Sequence, residues 1–258
     1  MRDKYINLIA NKLVKAFLTD KVISPIPNKY TKKISQADKF RKLCETKIDK
    51  SIIGFKVGGT SIPVLKKLKE KEPFYASVYQ NKFLKNNSSV KINNYTLGIE
   101  LEVCYLIKKS FFSFNKKITK KNILNYISHI APCIEVVGYR QRKKGIKFLG
   151  DLCSDFGGNF RFIIGKKIKF KNSKISNLKT NISNKKVNQS VYGNTNTVYI
   201  DPLNSLKFVL NKIRKDKKKL NKNFYVFTGS TVGVVPILGK GFYTGTIEKL
   251  GSVKTKII

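Results

Sequence analysis

The stretch GIELEVCYL, residues 98–106, constrains this chain more than any other. Its apolar residues alternate with Glu100 and Glu102, and a period of two specifies a β-strand. Side chains two apart on a strand share a face, roughly 6.5–7 Å apart along the chain. Glu100 and Glu102 therefore project together, with Ile99, Leu101, Val103 and Tyr105 on the opposite face. Two carboxylates so close repel, and burying them unpaired is costly. A strand with one wet face is the ordinary reading of such a pattern. In a chain with 53 Lys and Arg against 15 Asp and Glu, however, a wet face would ordinarily carry Lys. Two glutamates here point to a requirement for anionic oxygen.

With 258 residues and 41% hydrophobic content, the chain can fill the core of one large domain or two small ones. Its apolar runs are too short and too interrupted for a transmembrane helix. The N-terminal MRDKYINLIANKLVKAFL is amphipathic but has no small-residue cleavage site and contains Asp3, so no secretory signal is expected. Four scattered cysteines with no CxxC pair, and one His, argue against zinc and for reduced thiols in a cytoplasmic setting. The net charge of +38 invites a nucleic-acid partner. Yet only six of the 53 basic residues are Arg, whose bidentate fork base and phosphate recognition favours. Abundant Lys, Asn and Ile are what an AT-rich coding sequence supplies whatever the function. Nucleic acid is therefore not expected, and a polyanion binder stays as the non-enzymatic alternative.

Along the chain, Ile6, Ile9, Leu13 and Phe17 predict a helix within residues 1–22, ended by Pro25 and Pro27. A second helix is predicted over Ser35–Thr46, capped by Ser35. Strands begin at IIGFKVGG; Ser61 caps a short helix over Pro63–Lys69, and residues 74–80 and 98–108 are strands. TKKNILNYISHIA, 119–131, predicts an amphipathic helix capped by Thr119 and carrying His129. CIEVVGY and Phe160–Ile164 follow as strands. The Lys- and Asn-rich stretch around 166–190 predicts a long loop over part of its length, or a surface hairpin. Asp201 and Pro202 open a helix with Leu203, Leu206, Phe208, Val209 and Ile213 inward, and Gly-punctuated β structure runs from Phe224. A helical lead-in and a mostly-β body make an α+β protein.

Glu135 joins the acidic pair, because it too sits mid-strand, between Ile134 and Val136. A third carboxylate completes an oxygen-rich site for Mg²⁺ or Mn²⁺, and the absence of His from these segments disfavours zinc. Three polar clusters flank glycines: FKVGGTS with Lys56, SDFGGN with Ser154, Asp155 and Asn159, and TGSTVG with Thr228, Ser230 and Thr231. None matches a Walker or Rossmann fingerprint, and no Ser-His-Asp or Cys-His set is present.

The order of these pieces, from GFKVGGTS through Glu72–Pro73, GIELEV, APCIEVV, SDFGGN and DPLNSLKFVLN to TGSTVG, resembles the 2-keto-4-pentenoate hydratases of the fumarylacetoacetate hydrolase superfamily. The similarity runs from about residue 50 to the terminal LGSVKTKI. It implies a mixed β-sandwich or β-roll catalytic body over 51–258, with the 166–190 insertion, and a helical N-terminal portion over 1–50. It also implies assembly as a dimer or larger homo-oligomer, and Mg²⁺ or Mn²⁺ held by Glu100, Glu102 and Glu135. On the same resemblance Lys56 holds the substrate carboxylate or, its pKa lowered by burial, shuttles a proton. Asp155 orients water or supports the site, and Thr228 and Ser230 hydrogen-bond substrate oxygens. The implied activity is hydration of a 2-hydroxydienoate or 2-oxo-alkenoate such as 2-keto-4-pentenoate, through a metal-stabilised enolate. Decarboxylation of a 2-oxo diacid, as in 4-oxalocrotonate decarboxylases, and C–C bond hydrolysis are the alternatives. Two departures bear on the substrate: Lys71–Glu72 replaces the acidic pair that many relatives carry, and Phe156 follows Asp155.

Overall fold

A computed structural model describes residues 2–171 and 174–258; Asn172 and Ser173, inside the expected insertion, lie outside the described residues. Two helices lead in, α1 (Arg2–Thr19) and α2 (Ile34–Glu45). The body follows as β1 (Ile52–Gly58), α3 (Ile62–Lys67), β2 (Phe74–Tyr79), β3 (Phe83–Lys85), β4 (Ser89–Val90) and β5 (Thr96–Ile107). Next come α4 (Lys120–Ile123), β6 (Ile127–Gly138), α5 (Leu149–Ser154), β7 (Asn159–Ile164), β8 (Ile168–Lys169), β9 (Lys179–Asn184) and β10 (Gln189–Asn194). The chain ends with α6 (Pro202–Lys215), β11 (Phe224–Ser230), β12 (Gly241–Ile247) and β13 (Gly251–Ile257). This is the α+β class that the sequence predicts. No helix among the described residues is long and apolar enough to cross a membrane.

One sheet has the order β2-β1-β11-β5-β6-β7-β3, with β8 also on β6; the second has the order β10-β9-β12-β13-β4. The long central strands β5 and β6 are buried along most of their length on both sides, so both faces of the large sheet are covered there. On one face Ile99, Leu101, Val103 and Tyr105 pack in a core shared with α6 and the second sheet, through residues such as Leu206, Val209, Tyr243 and Val253. On the other, Cys104, Cys133, Phe162 and Phe227 form a separate cluster. The rings of Phe162 on β7 and Phe227 on β11 lie 4.4 Å apart, although β5 and β6 run between their strands. Three strand steps in a flat sheet would separate them by about 14 Å. The sheet therefore curls tightly around this second face, as a β-roll does. Phe17 of α1 packs on Tyr79 and Phe156, seating the N-terminal helices against the body.

Three local expectations are corrected. The helix predicted over 119–131 stops at Ile123; its Thr119 capping box with Asn122 is present, but a 3₁₀ turn follows and β6 begins at Ile127. Residues 127–131 pair with β5, with one register shift between His129 and Ile127, and those backbone bonds outweigh the helical spacing of the isoleucines. His129 is thus a strand residue, hydrogen-bonded to Ser128 Oγ. α2 begins at Ile34 with no side-chain cap, so Ser35 does not cap it. The Lys- and Asn-rich stretch is partly ordered: β9 and β10 form a hairpin, and β9 pairs with β12. Asp201 caps α6 as predicted, its carboxylate accepting the Leu203 N–H, while Leu203 and Phe208 are only partly buried.

Candidate metal centre

The β5–β6 register sets Glu100 directly opposite Glu135, with Glu102 two residues along the same face. One carboxylate oxygen from each of Glu100, Glu102 and Glu135 lies within 4.8 Å of the other two. Among the described residues this is the one such cluster of His, Cys, Asp or Glu. Glu102 and Glu135 are fully buried, and Glu100 is half-buried on the floor of a cavity of about 510 Å³. Lys56 reaches the same point from β1, three strand steps from β6, because the sheet curls. Its Nζ donates to Glu135 Oε1 at 2.7 Å and to the Gly157 carbonyl at 2.9 Å.

The backbone of β11 supplies another donor. A break in the β11–β5 register between Phe227 and Ser230 turns the Gly229 N–H onto Glu102 Oε2, 2.9 Å away. Gly229 has φ +104°, and a Cβ there would stand 2.2 Å from Thr60 Oγ1, so only glycine fits. Two buried oxygens are left over: Glu102 Oε1 and Glu135 Oε2 have no hydrogen-bond partner among the described residues.

Three carboxylates against one ammonium leave this buried point two charges negative when all are ionised. The carboxylates respond by holding protons. Burial pushes the Glu102 carboxyl up to about 7 from an ordinary 4.5; Glu100 adds to the rise, while Lys56 and the Gly229 N–H oppose it. Burial raises Glu135 well above the carboxylate range and raises Glu100 too, against the pull of Lys56. For Lys56, burial acts downward, but the attraction of Glu135, Glu100 and Glu102 outweighs it and the pKa is raised. The lysine pKa that sequence reasoning expected to fall is thus held up, and Lys56 is a firm ammonium. The donor set fits a hard divalent cation: oxygen only, convergent, and with two unsatisfied oxygens where ligands are needed.

The other candidate residues are placed differently. Asp155 does not line the cavity. It is fully buried against Arg140, whose backbone N–H donates to Oδ2 at 2.6 Å and whose guanidinium donates to Oδ1 at 2.9 Å. This pair joins the end of β6 to the 156–158 turn, whose Gly157 carbonyl receives Lys56. Both carboxylate oxygens of Asp155 are thus occupied by Arg140. Ser154 and Asn159 are likewise engaged with backbone carbonyls, of Asp151 and Ser77. Thr228 is buried off the cavity and its hydroxyl donates to Val103 O. Ser230 does line the cavity, with its hydroxyl donating to Gly233 O. Glu72 is a half-exposed partner of Lys212, outside the cavity. Arg140 was not foreseen; the one available signal was that Arg is so scarce here.

No protein-family model and no curated protein sequence matches the chain. Solved structures do. A 4-oxalocrotonate decarboxylase from Pseudomonas putida G7, complexed with magnesium and adipate, matches with TM-score 0.85 at 19% identity, over 100% of this chain and 98% of that one. The fold is that of this decarboxylase. The same enzyme complexed with calcium and acetate gives TM-score 0.84 at 18% identity, with the same coverage. A 5-carboxymethyl-2-hydroxymuconate delta-isomerase from Mycobacterium smegmatis shares the fold more loosely, with TM-score 0.59 at 14% identity over 81% of this chain and 78% of that one. So does a Yersinia pestis CO92 protein described as of the fumarylacetoacetate hydrolase family, with TM-score 0.59 at 15% identity over 82% of this chain and 95% of that one. At these identities the likeness is one of architecture, and chemistry has to be argued from the residues themselves.

The Arg140–Asp155 pair gives a structural prediction. Asp155→Ala leaves a fully buried guanidinium without its anion, a loss of about 3–5 kcal/mol. A thermal melt should show a midpoint lowered by on the order of 10 °C. An unchanged midpoint would mean that water or another group compensates Arg140.

Proposed function

We propose that this chain is a divalent-metal-dependent enzyme of the fumarylacetoacetate hydrolase superfamily that acts on a 2-oxo acid or its enol. Glu100, Glu102 and Glu135 hold Mg²⁺ or Mn²⁺, and hydration of a 2-hydroxydienoate is the reaction we favour. The observation that carries this reading is the trio of carboxylates converging within 4.8 Å, beside a cavity lined by Glu100 and Lys56. The fold shared with an enzyme complexed with magnesium supports it.

When bound, the cation supplies Lewis-acid polarisation of the substrate's keto oxygen, which acidifies the neighbouring C3–H. The three carboxylates offset its charge, and Lys56 brings the whole centre to neutrality before the substrate anion enters. Two of the ammonium N–H groups of Lys56 are taken by Glu135 and Gly157, which leaves one for a substrate carboxylate. Asp155 is a positioning residue that holds the turn receiving Lys56. Decarboxylation of a 2-oxo diacid is the second reading, favoured by the similarity in fold to 4-oxalocrotonate decarboxylase. Assembly as a homo-oligomer belongs to the same proposal, as does a cytoplasmic setting, with which four free, buried cysteines are consistent.

Calorimetric titration of Mn²⁺ into metal-stripped protein tests the centre and should give about one ion per chain. Because the Glu102 carboxyl titrates at about 7 in the metal-free site, cation binding displaces protons below that pH. Apparent affinity should rise from pH 5.5 to 7, about tenfold per unit for each proton displaced, and go on rising above 7 because the Glu135 carboxyl is also pushed well up. The stability of the metal-free protein should run the other way. A carboxyl whose folded pKa is raised from 4.5 to about 7 costs stability progressively as pH rises between those values. The raised pKa of Lys56 adds stability that is fully present below 10.5 and so does not alter this window. Absence of binding in a folded protein would sink the enzyme reading. It would return attention to the +38 charge and to a polyanion whose affinity falls steeply with salt.

A further inference from the structure

Resting on the 2-oxo acid reading above, we infer that the substrate is a monoacid carrying a bulky apolar group at the end away from its carboxylate, rather than a five-carbon acid or a diacid. The first observation is a missing charge. The chain has 53 Lys and Arg, yet among the described residues lining the cavity only Lys56 and Glu100 are charged. Lys56 stands at the carboxylate end, already bonded to Glu135 and Gly157. A second carboxylate at the far end would enter with no counter-ion, and an unpaired anion out of water is strongly disfavoured. In a chain where Lys fills most available surfaces, its exclusion from this wall is a specific feature.

The second observation is what replaces it. Phe74, Leu97, Val137, Leu149 and Leu152 make the inner wall. The hydroxyls of Thr197, Ser230 and Thr231 face the same space but donate to backbone carbonyls, of Asn194, Gly233 and Leu101. At the mouth stand Val64, Ile146, Tyr192 and Val234, exposed by 43%, 41%, 78% and 47%. These four account for a third of the twelve large hydrophobic residues exposed on the described chain, and they come from four separate segments. Isolated surface apolars need no explanation, but convergence around one opening does. The volume of about 510 Å³ falls in the range that accommodates drug-sized ligands, well beyond a five-carbon acid. The polar end of such a ligand meets Lys56 and the carboxylate trio, and its tail lies along the wall and under Tyr192.

The test uses full-length, Mg²⁺-loaded protein and a series of saturated 2-oxo acids: 2-oxopentanoate, 2-oxo-octanoate, 2-oxo-4-phenylbutanoate and 2-oxoadipate. Dissociation constants are measured by calorimetry, and proton–deuteron exchange at C3 is followed by NMR. Affinity should rise about fourfold per added methylene from 2-oxopentanoate to 2-oxo-octanoate. The phenyl acid should bind comparably to the octanoate, and 2-oxoadipate no better than the five-carbon acid. Val64→Lys, a change at an exposed position of the mouth, should narrow the gap between 2-oxoadipate and 2-oxo-octanoate by about tenfold by supplying the missing cation. Mg²⁺-dependent binding with no preference for tail length, or a diacid preferred by the wild type, overturns the inference and leaves the 2-oxo acid reading standing. Failure of every acid to bind in a Mg²⁺-dependent way overturns that reading, and this inference with it.

Discussion

Glu102→Gln is expected to lower the affinity for Mn²⁺ or Mg²⁺ by more than about 100-fold. Loss of groups that merely orient metal ligands typically costs about 10–100-fold, and Glu102 is proposed as a ligand itself. Its Oε2 is held by the Gly229 N–H and its Oε1 is free of partners, aimed among Glu100 and Glu135. The amide is nearly isosteric, so the fold should survive. The same substitution should raise the thermal midpoint of the metal-free protein, because it removes one of three buried carboxylates that repel one another. Added Mg²⁺ should then stabilise the wild type, by about 2.7 kcal/mol at a hundredfold excess over Kd, and leave the variant unmoved. Calorimetry and melts with and without Mg²⁺ read both effects. Equal Mn²⁺ affinity in the two proteins would remove Glu102 from the centre.

Lys56→Met is expected to separate metal binding from chemistry. Removing the ammonium frees Glu135 Oε1 and takes away a positive charge beside the cation, so Mn²⁺ should bind at least as tightly as in the wild type. Exchange at C3 of a 2-oxo acid should nevertheless fall by about 100-fold, because the substrate carboxylate loses the ammonium N–H that would position it. The metal-free variant should be less stable by about 1.5–3 kcal/mol, since the buried hydrogen bond from Lys56 to Glu135 is lost. Mg²⁺ should restore part of that loss. Exchange at the wild-type rate, measured by NMR on the Mg²⁺-loaded variant, would show that Lys56 only neutralises charge.

Much of this site could be read from the chain because strand periodicity is local. In GIELEVCYL the alternation alone puts Glu100 and Glu102 on one face, and the acid-poor composition makes their choice informative. Glu135 stood out for the same reason. What periodicity cannot supply is register, and it is the pairing of Glu100 with Glu135 that turns three separate acids into one cluster. The misread helix at 119–131 fails for a related reason: five residues of an isoleucine-rich run fit either period until a neighbouring strand is present to pair with them. Thr228 and Asp155 stand out in the sequence for their place in Gly-flanked turns, but the sequence does not show what their side chains bind. The partners of a hydroxyl or carboxylate, here Val103 O and Arg140, come from segments distant along the chain.

By itself, the amino-acid sequence determined the α+β class, most elements from β1 onward and the acidic character of one strand face, because these follow from nearest-neighbour spacing along the backbone. Tertiary structure alone decided the rest. The curl of the large sheet brings Lys56 across three strands to Glu135. The break in β11 aims the Gly229 N–H at Glu102. The β9–β10 hairpin sets Tyr192 over a wall that carries no second cation. Curvature, register and the meeting of distant segments arise from how whole sheets pack, and no window of sequence contains them.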